Sequence, residues 1–378
     1  MKGLAYVLFE ILETLLRFLP IPTKTGLIKI GNPDRHSPVF LTGNYHLSVL
    51  RLKRALKGQN AYLLAANSRG INVWCAAAGG HLTHHDVISV LELSGIEKLV
   101  DQRKIILPQL AAGGVDADSV RQKTGWRIAW GPVSADDIPA YMKDGGIKTA
   151  GMRAVKFPLK GRLEMAAVWA FPMSAFFCLL ALIFKRGTAF TAVILVWLLA
   201  ALVFIFFPLY LALMPKERQG SGTEKTAGNP FVPFLVFAGM ALGGVAGFGL
   251  LTSHFSGSFL LFWGTFTISV IFILAVDLSG STPILVSRFR EERSFQITVD
   301  REKCIGAGFC EQVCPRNCYL LDRVKGRVSL VHPDRCIRCG ACIVQCPFDA
   351  LYFVDDKKRK ISPEFVRKHK VGFSGKRK

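Results

Sequence analysis

The chain has 378 residues, which is enough for two or three domains. Its hydrophobic content of 51% is above that of most soluble globular proteins and predicts apolar segments outside any soluble domain. A formal net charge of +21 could suit nucleic acid, but no helix-turn-helix, zinc finger or aromatic RNA-binding motif accompanies it. The basic residues instead flank apolar segments and fill the C-terminal tail, which is typical of contact with anionic lipid headgroups. The composition therefore argues against a nucleic-acid partner.

Residues 1–23 begin with apolar side chains at helical spacing, including Leu4, Leu8, Ile11 and Leu15. Three charged residues interrupt this stretch and no small-residue cleavage site follows it, so a signal peptide is not predicted. The pattern predicts an amphipathic N-terminal helix that lies on a membrane or against a helical bundle. A fifth membrane span is the alternative.

Residues 24–160 alternate short apolar runs with helical patterns. Strands are predicted at 39–41, 62–65, 104–107 and 127–130, and helices at 47–56, 86–93 and 137–142. This alternation predicts an α/β doubly wound, Rossmann-like domain with a parallel sheet. Ligands of such sheets bind beyond the carboxyl ends of the strands. The residues that follow these strands, and are therefore expected to line a pocket with Cys75, are Thr42, Asn44, Tyr45 and Gly131.

Cys75 is the only cysteine before Cys178, so it is either a buried filler or a reactive ligand. It lies in the run Asn72, Val73, Trp74, Cys75, Ala76, Ala77. This run resembles the signature of the mercury-methylating corrinoid proteins, and the stretches 39–45, 105–110 and 130–133 extend the resemblance. The resemblance implies a cobalamin-type corrinoid held by the six residues, with Cys75 as the catalytic cobalt ligand. Tyr45 and Trp74 suit a packed core as well as a pocket.

Four apolar stretches in residues 161–280 have the length of a bilayer crossing. They predict an α-helical transmembrane bundle with spans at 163–184, 189–213, 231–251 and 258–276. Basic residues cluster before the first span, between the second and third, and after the fourth. By the positive-inside rule, this places both soluble domains in the cytoplasm and the protein in the inner (cytoplasmic) membrane. A linker at 281–294 follows.

Residues 295–356 predict a small α+β domain like the bacterial ferredoxins, and a basic tail occupies 357–378. Two cysteine runs lie in this domain, and their spacing is that of iron–sulfur ligands, with a structural zinc site as the alternative. The complete run consists of Cys336, Cys339, Cys342 and Cys346, followed by Pro347. The earlier run has Ala307 at its second position and otherwise consists of Cys304, Cys310 and Cys314.

The fourth cysteine of each run ligates the other cluster in two-cluster ferredoxins. One [4Fe–4S] site is therefore expected at Cys314, Cys336, Cys339 and Cys342. The second, incomplete site has Cys304, Cys310 and Cys346, and Ala307 offers no donor atom. That site should hold [3Fe–4S], use an outside ligand or be empty. Cys318 is either an unligated thiol or a substitute ligand.

The resemblance implies a fusion of a membrane-anchored corrinoid protein with its ferredoxin partner. The function it implies is membrane-anchored, corrinoid-dependent methyl transfer in which the ferredoxin module reduces cobalt, as in mercury methylation. A methyltetrahydrofolate-linked methyl-donor protein and a low-potential electron donor are the expected partners. A paralogous methyltransferase with a non-mercury acceptor is one alternative, because Ala78 and Gly79 replace the family's Gly and Lys. A membrane iron–sulfur electron-transfer protein without corrinoid is another.

Overall fold

A computed structural model describes residues 3–184, 186–209, 232–251, 256–278, 295–355 and 357–369. The chain divides into two compact units. The helical unit contains Met1–Phe18 and Lys156–Thr282, and the α/β unit contains Leu19–Val155 and Pro283–Lys378. The domains predicted at 24–160 and 295–356 thus pack into one unit, except that residues 156–160 belong to the helical unit. The predicted linker 281–294, the end of the tail at 370–378 and the end of the second predicted span at 210–213 lie outside the described residues.

The first part of the α/β unit is built on a five-stranded sheet with the order β1-β3-β2-β4-β5. Its strands are β1 (Gly26–Ile30), β2 (Val39–Gly43), β3 (Ala61–Ala66), β4 (Lys104–Pro108) and β5 (Arg127–Gly131). The four predicted strands are parallel to one another, whereas β1, which was not predicted, is antiparallel to β3. The sheet therefore has one antiparallel edge on a parallel core.

Helices cover both faces of this sheet. They are α2 (His46–Ala55), α3 (Val73–Gly79), α4 (His84–Ser94), α5 (Ala117–Thr124), α6 (Ile138–Lys143) and α7 (Ala150–Arg153). Successive residues of β2 point to opposite faces, so Val39 and Leu41 pack with α4 and α5, while Phe40 packs with α2 and α6. Since both faces bury apolar side chains, the central strands read as continuous apolar runs in the sequence. The predicted mixed α/β class is confirmed.

The second part of the α/β unit is a small α+β fold around the eight C-terminal cysteines. Its elements are β6 (Gln296–Val299), α12 (Phe309–Val313), β7 (Tyr319–Asp322), β8 (Arg327–Leu330), α13 (Ala341–Val344), β9 (Leu351–Val354), β10 (Lys360–Ile361) and α14 (Pro363–His369). β9 lies between β10 and β6, and β7 pairs with β8. Cys310, Cys314 and Cys342 lie in the same core as Ile343 and Phe353, so the cysteine sulfurs are held inside the fold.

The helical unit contains α1 (Gly3–Leu15), α8 (Leu159–Phe184), α9 (Ala189–Ile205), α10 (Val232–Leu251) and α11 (Gly257–Leu278). Among the described residues, only two helices are long and apolar enough to cross a membrane, at Leu159–Ile183 and Gly257–Ala275. The apolar parts of α9 and α10, at Ala189–Ile205 and Phe237–Leu250, are shorter than the ~20 residues of a bilayer crossing. Within the part of the chain that the structure describes, the predicted bundle of four spans is therefore wrong, because only two of its four apolar helices reach spanning length.

The N-terminal helix α1 ends at Leu15, so it is shorter than the predicted region 1–23. It contacts α8, and Arg17 Nη1 donates to Met165 Sδ at 3.8 Å. Leu8 and Ile11 are exposed while Glu13 is buried, so part of the apolar face of α1 points away from α8.

Candidate functional site

Cys75 lies in the first turn of α3, which follows the carboxyl end of β3. Asn72 caps this helix, because its Oδ1 accepts from Cys75 N at 3.0 Å. The amide nitrogen of the same side chain, Asn72 Nδ2, donates a hydrogen bond to Cys75 Sγ at 3.4 Å. Cys75 itself is exposed. The cap therefore fixes the start of the helix and holds the Cys75 sulfur on its accessible side.

The other residues of the Asn72–Ala77 run have packing roles. Val73, Ala76 and Ala77 are buried beneath α3. A Cβ added to Gly114 would lie 2.7 Å from Ala77 Cα and 2.5 Å from Leu82 O. The backbone after β4 thus reaches α3 only because Gly114 has no side chain. This contact holds α3 against the sheet.

The structure does not expose the four other residues that were predicted to line a pocket with Cys75. Thr42, Asn44 and Tyr45 are buried, and the Asn44 amide is used within the fold. Its Oδ1 accepts from Ser68 N at 2.9 Å and from Gly70 N at 3.1 Å, so it shapes the loop that leads to α3. The segment before β1 covers the end of β2 through Thr23 N, which donates to Asn44 O at 2.7 Å.

Gly131 is also buried, and a Cβ there would lie 3.0 Å from Ile106 Cγ2. The structure therefore does not place Thr42, Asn44, Tyr45 or Gly131 on one surface with Cys75. The physical reason is that loops cover the carboxyl ends of β2 and β5. After β5, for example, Val133 N donates to Met152 O at 3.0 Å.

The four cysteines predicted to hold [4Fe–4S] line one cavity. They are Cys314, Cys336, Cys339 and Cys342. Among the described residues, no three His, Cys, Asp or Glu side chains converge as ligands of a single metal ion do. The cysteines surround a space instead, which fits a cluster and gives no support to a mononuclear zinc site.

Two further residues donate hydrogen bonds to cysteine sulfurs of this set. The Tyr319 hydroxyl donates to Cys342 Sγ at 3.2 Å, and Cys318 N donates to Cys314 Sγ at 3.3 Å. The Cys318 thiol also lines the cavity, and its hydrogen bond lowers the pKa of Cys314 to about 7. Cys318 thus lies beside the complete site, where the sequence did not place it.

The incomplete set, Cys304, Cys310 and Cys346, lines a different cavity, which Ala307 also lines. Burial raises the pKa of Cys310 to about 12, and the neighbouring thiols of Cys346 and Cys304 act in the same direction. The three cysteines are therefore close neighbours, and they are separate from the complete set.

Hydrogen bonds join the two parts of the α/β unit. The Gln345 side chain donates to Ala112 O at 2.8 Å and to Val115 O at 2.7 Å. Asn317 Nδ2 donates to Ala150 O at 3.0 Å, and Val155 N donates to Pro315 O at 2.8 Å. The cysteine-rich part is thus bonded directly to the loop that packs on α3.

A cavity lies at this junction. Its lining includes Trp74 and Ala78 of the Cys75 helix, and Cys339 of the complete cysteine set. Gly113 completes the contact, because a Cβ there would lie 3.2 Å from Cys339 O. Sequence reasoning missed this proximity. The paired glycines Gly113 and Gly114 were its only sequence signal.

Lys148 lies at the same junction, where Nζ donates to Gln109 Oε1 at 2.6 Å and to Gln312 O at 2.9 Å. Burial, with the positive charge of Arg153, lowers the pKa of Lys148 from 10.5 to about 7.

Between the unfolded-state and folded-state pKa values of Lys148, the unfolded chain binds more protons than the folded chain, so stability rises with pH. We expect the free energy of unfolding to rise between about pH 7 and pH 9 by more in the wild type than in Lys148→Met, as measured by urea titration. Equal slopes would contradict the lowered pKa.

Comparisons with known proteins identify two regions. Residues 17–142 match the sequence model of the family described as CO dehydrogenase/acetyl-CoA synthase delta subunit. Residues 330–352 match the 4Fe-4S binding domain, so the predicted ferredoxin-like iron–sulfur domain is confirmed.

Curated relatives agree with the first match. The acetyl-CoA decarbonylase/synthase complex subunit gamma of Methanothermobacter thermautotrophicus is 34% identical over 125 residues, which are 32% of this chain and 27% of the relative. The gamma subunit of Archaeoglobus fulgidus is 31% identical over 126 residues, 33% of this chain and 26% of the relative. The chain thus spans about a quarter of the length of these relatives.

These matches correct the predicted family. Residues 17–142 are similar to acetyl-CoA decarbonylase/synthase subunits and not to the mercury-methylating corrinoid proteins, so that recognition and the predicted membrane mercury-methylation system are both wrong. The structure gives a physical reason for the misleading motif. Asn72 is needed as a helix cap, and Val73, Ala76 and Ala77 are needed for packing, so a short match there carries little information about the reaction.

Proposed function

We propose that the chain is a corrinoid-dependent methyl-transfer protein of the kind found in acetyl-CoA decarbonylase/synthase complexes, with an iron–sulfur centre that exchanges electrons with the corrinoid site. The family of the matched subunits is involved in methyl transfer with a corrinoid. The observation that carries the proposal is the shared cavity, which Trp74 of α3 and the cluster ligand Cys339 both line. A chain with unrelated functions in its two parts would not need this contact.

Cys75 is the residue we assign to the cobalt. A bound corrinoid supplies a metal centre that accepts and releases a methyl group. The thiolate is the metal-binding form of cysteine, and Cys75 is exposed on α3. Asn72 orients that sulfur through its Nδ2 contact of 3.4 Å. This exposed position and the contact from Asn72 support Cys75 as the cobalt ligand.

The cysteine-rich part supports electron exchange by its position. Gln345 fixes it to the loop after β4, and the approach of Cys339 O to Gly113 brings the ligand set against the α3 side of the sheet. Joining donor and acceptor in one chain also raises their effective concentration.

The proposed function requires two partner proteins, a methyl donor and an electron donor. A methyltetrahydrofolate-linked protein would supply the methyl group, and a low-potential donor would supply electrons to the iron–sulfur domain. The relatives are subunits of a multi-protein complex, which supports transfer between protein surfaces.

We propose separately that the helical unit lies in the cytoplasmic membrane. On α8, Phe176, Leu179 and Ile183 are 58%, 59% and 64% exposed, and apolar side chains in such a run suit lipid better than water. The cysteines favour a reducing compartment, so the α/β unit would lie in the cytoplasm. A protein that stays in the soluble fraction of lysed cells would contradict this location.

Spectroscopy of the full-length protein tests the proposed function. We expect the anaerobically purified protein, reconstituted with iron, sulfide and hydroxocobalamin, to retain corrinoid after gel filtration and to show its visible bands beside iron–sulfur absorption. A protein that retains iron but no corrinoid would instead be an electron-transfer protein, and the proposal would fail.

A further inference from the structure

The two cysteine runs have the same backbone conformation. Gly306 and Arg338 are left-handed, with φ of +71° and +57°. Two residues later, Gly308 and Gly340 are left-handed again, with φ of +77° and +74°, and each begins a short helix. A non-glycine residue at positive φ is disfavoured, so the fold itself imposes this geometry at Arg338. The loops therefore correspond residue by residue, and Ala307 occupies the position of Cys339.

Packing holds the first loop in this shape. A Cβ added to Gly306 would lie 2.4 Å from the carbonyl carbon and oxygen of Gly326. No side chain is tolerated there without moving the β7–β8 turn. The loop thus keeps a ligand-binding conformation although one ligand position is alanine.

The surroundings of Ala307 and Cys339 differ. Cys339 is partly buried against the first part of the unit, where its carbonyl meets Gly113. Ala307 is exposed to solvent. Apart from the three cysteines, the described residues that line its cavity are apolar or glycine, including the partly exposed Ile305, Phe309 and Phe348. This lining supplies no carboxylate, imidazole or hydroxyl as a fourth ligand.

We propose that Cys304, Cys310 and Cys346 hold a second cuboidal iron–sulfur cluster, whose iron beside Ala307 takes a small thiol from solution as its fourth ligand. The apolar rim suits an alkyl thiol better than a charged anion. The thiol releases its proton to solvent and binds as thiolate in place of a water ligand, and no electron is exchanged. This inference concerns only the iron–sulfur domain and holds whether or not a corrinoid binds.

Reconstitution of the full-length protein tests the inference. With iron, sulfide and 2-mercaptoethanol, we expect two four-iron clusters. After thiol is removed and the sample is oxidised with ferricyanide, we expect one four-iron and one three-iron cluster, seen by iron analysis and EPR. Readdition of the thiol with ferrous iron and a reductant should restore the second four-iron cluster.

Two variants sharpen this test. Ala307→Cys should keep both four-iron clusters without thiol and should not respond to it, because the chain then supplies the fourth ligand. Cys310→Ala should lose the second cluster and keep the first. A single four-iron cluster in the wild type with or without thiol, or two clusters insensitive to thiol, would overturn the proposal. Either result would leave the corrinoid-binding test unaffected.

Discussion

Cys75→Ala is expected to abolish thiolate coordination of the corrinoid cobalt and to slow methyl transfer by more than about tenfold, the lower range for disturbing a metal's protein environment. The reason is that Cys75 is the exposed thiol on α3, while Asn72 and the buried Val73, Ala76 and Ala77 supply capping and packing. The visible and EPR spectra of cobalt measure the loss. Iron content should not change, since the cluster ligands lie in a different part of the chain.

A matched control is Cys178→Ala, which removes a cysteine from α8 in the helical unit. It should leave the cobalt spectrum of the full-length protein unchanged. Asn72→Ala is informative as well, because it removes the cap and the contact to Cys75 Sγ, and should alter the cobalt spectrum without abolishing binding. If Cys75→Ala retains the wild-type cobalt spectrum, Cys75 is not the ligand and another residue must be sought.

The sheet shows which parts of the fold the sequence could predict. β2 and β3 are buried on both faces, so they form apolar runs that stand out between turns. β1 was missed because it is an edge strand with a lysine in a short, partly exposed segment, and its assignment depends on pairing with β3. The four apolar helices were found by composition, but among the described residues composition did not distinguish the two of spanning length from the two that are shorter.

The iron–sulfur domain could be predicted because the spacing of its cysteines within the sequence is itself the chemical constraint. The Cys75 region could not be predicted to the same extent. Its pocket was expected at the ends of β2 and β5, yet Asn44 turned out to shape a loop. The approach of Cys339 to α3 joins segments far apart in the chain, and only two small residues, Gly113 and Gly114, hinted at it.

Gln345→Ala is expected to lower the free energy of unfolding by roughly 1–3 kcal/mol for each buried carbonyl that loses its donor. Gln345 is 7% exposed, and its amide is the donor to both Ala112 O and Val115 O. Gln312→Ala makes the same chemical change at an exposed side chain, where only the backbone oxygen bonds to Lys148, and should be nearly neutral. Urea unfolding measures both. Amide hydrogen exchange at residues 109–115 should accelerate only in Gln345→Ala, because these bonds hold that loop between α3 and the cysteine-rich part. Equal stability of the two variants would mean that the junction does not depend on Gln345.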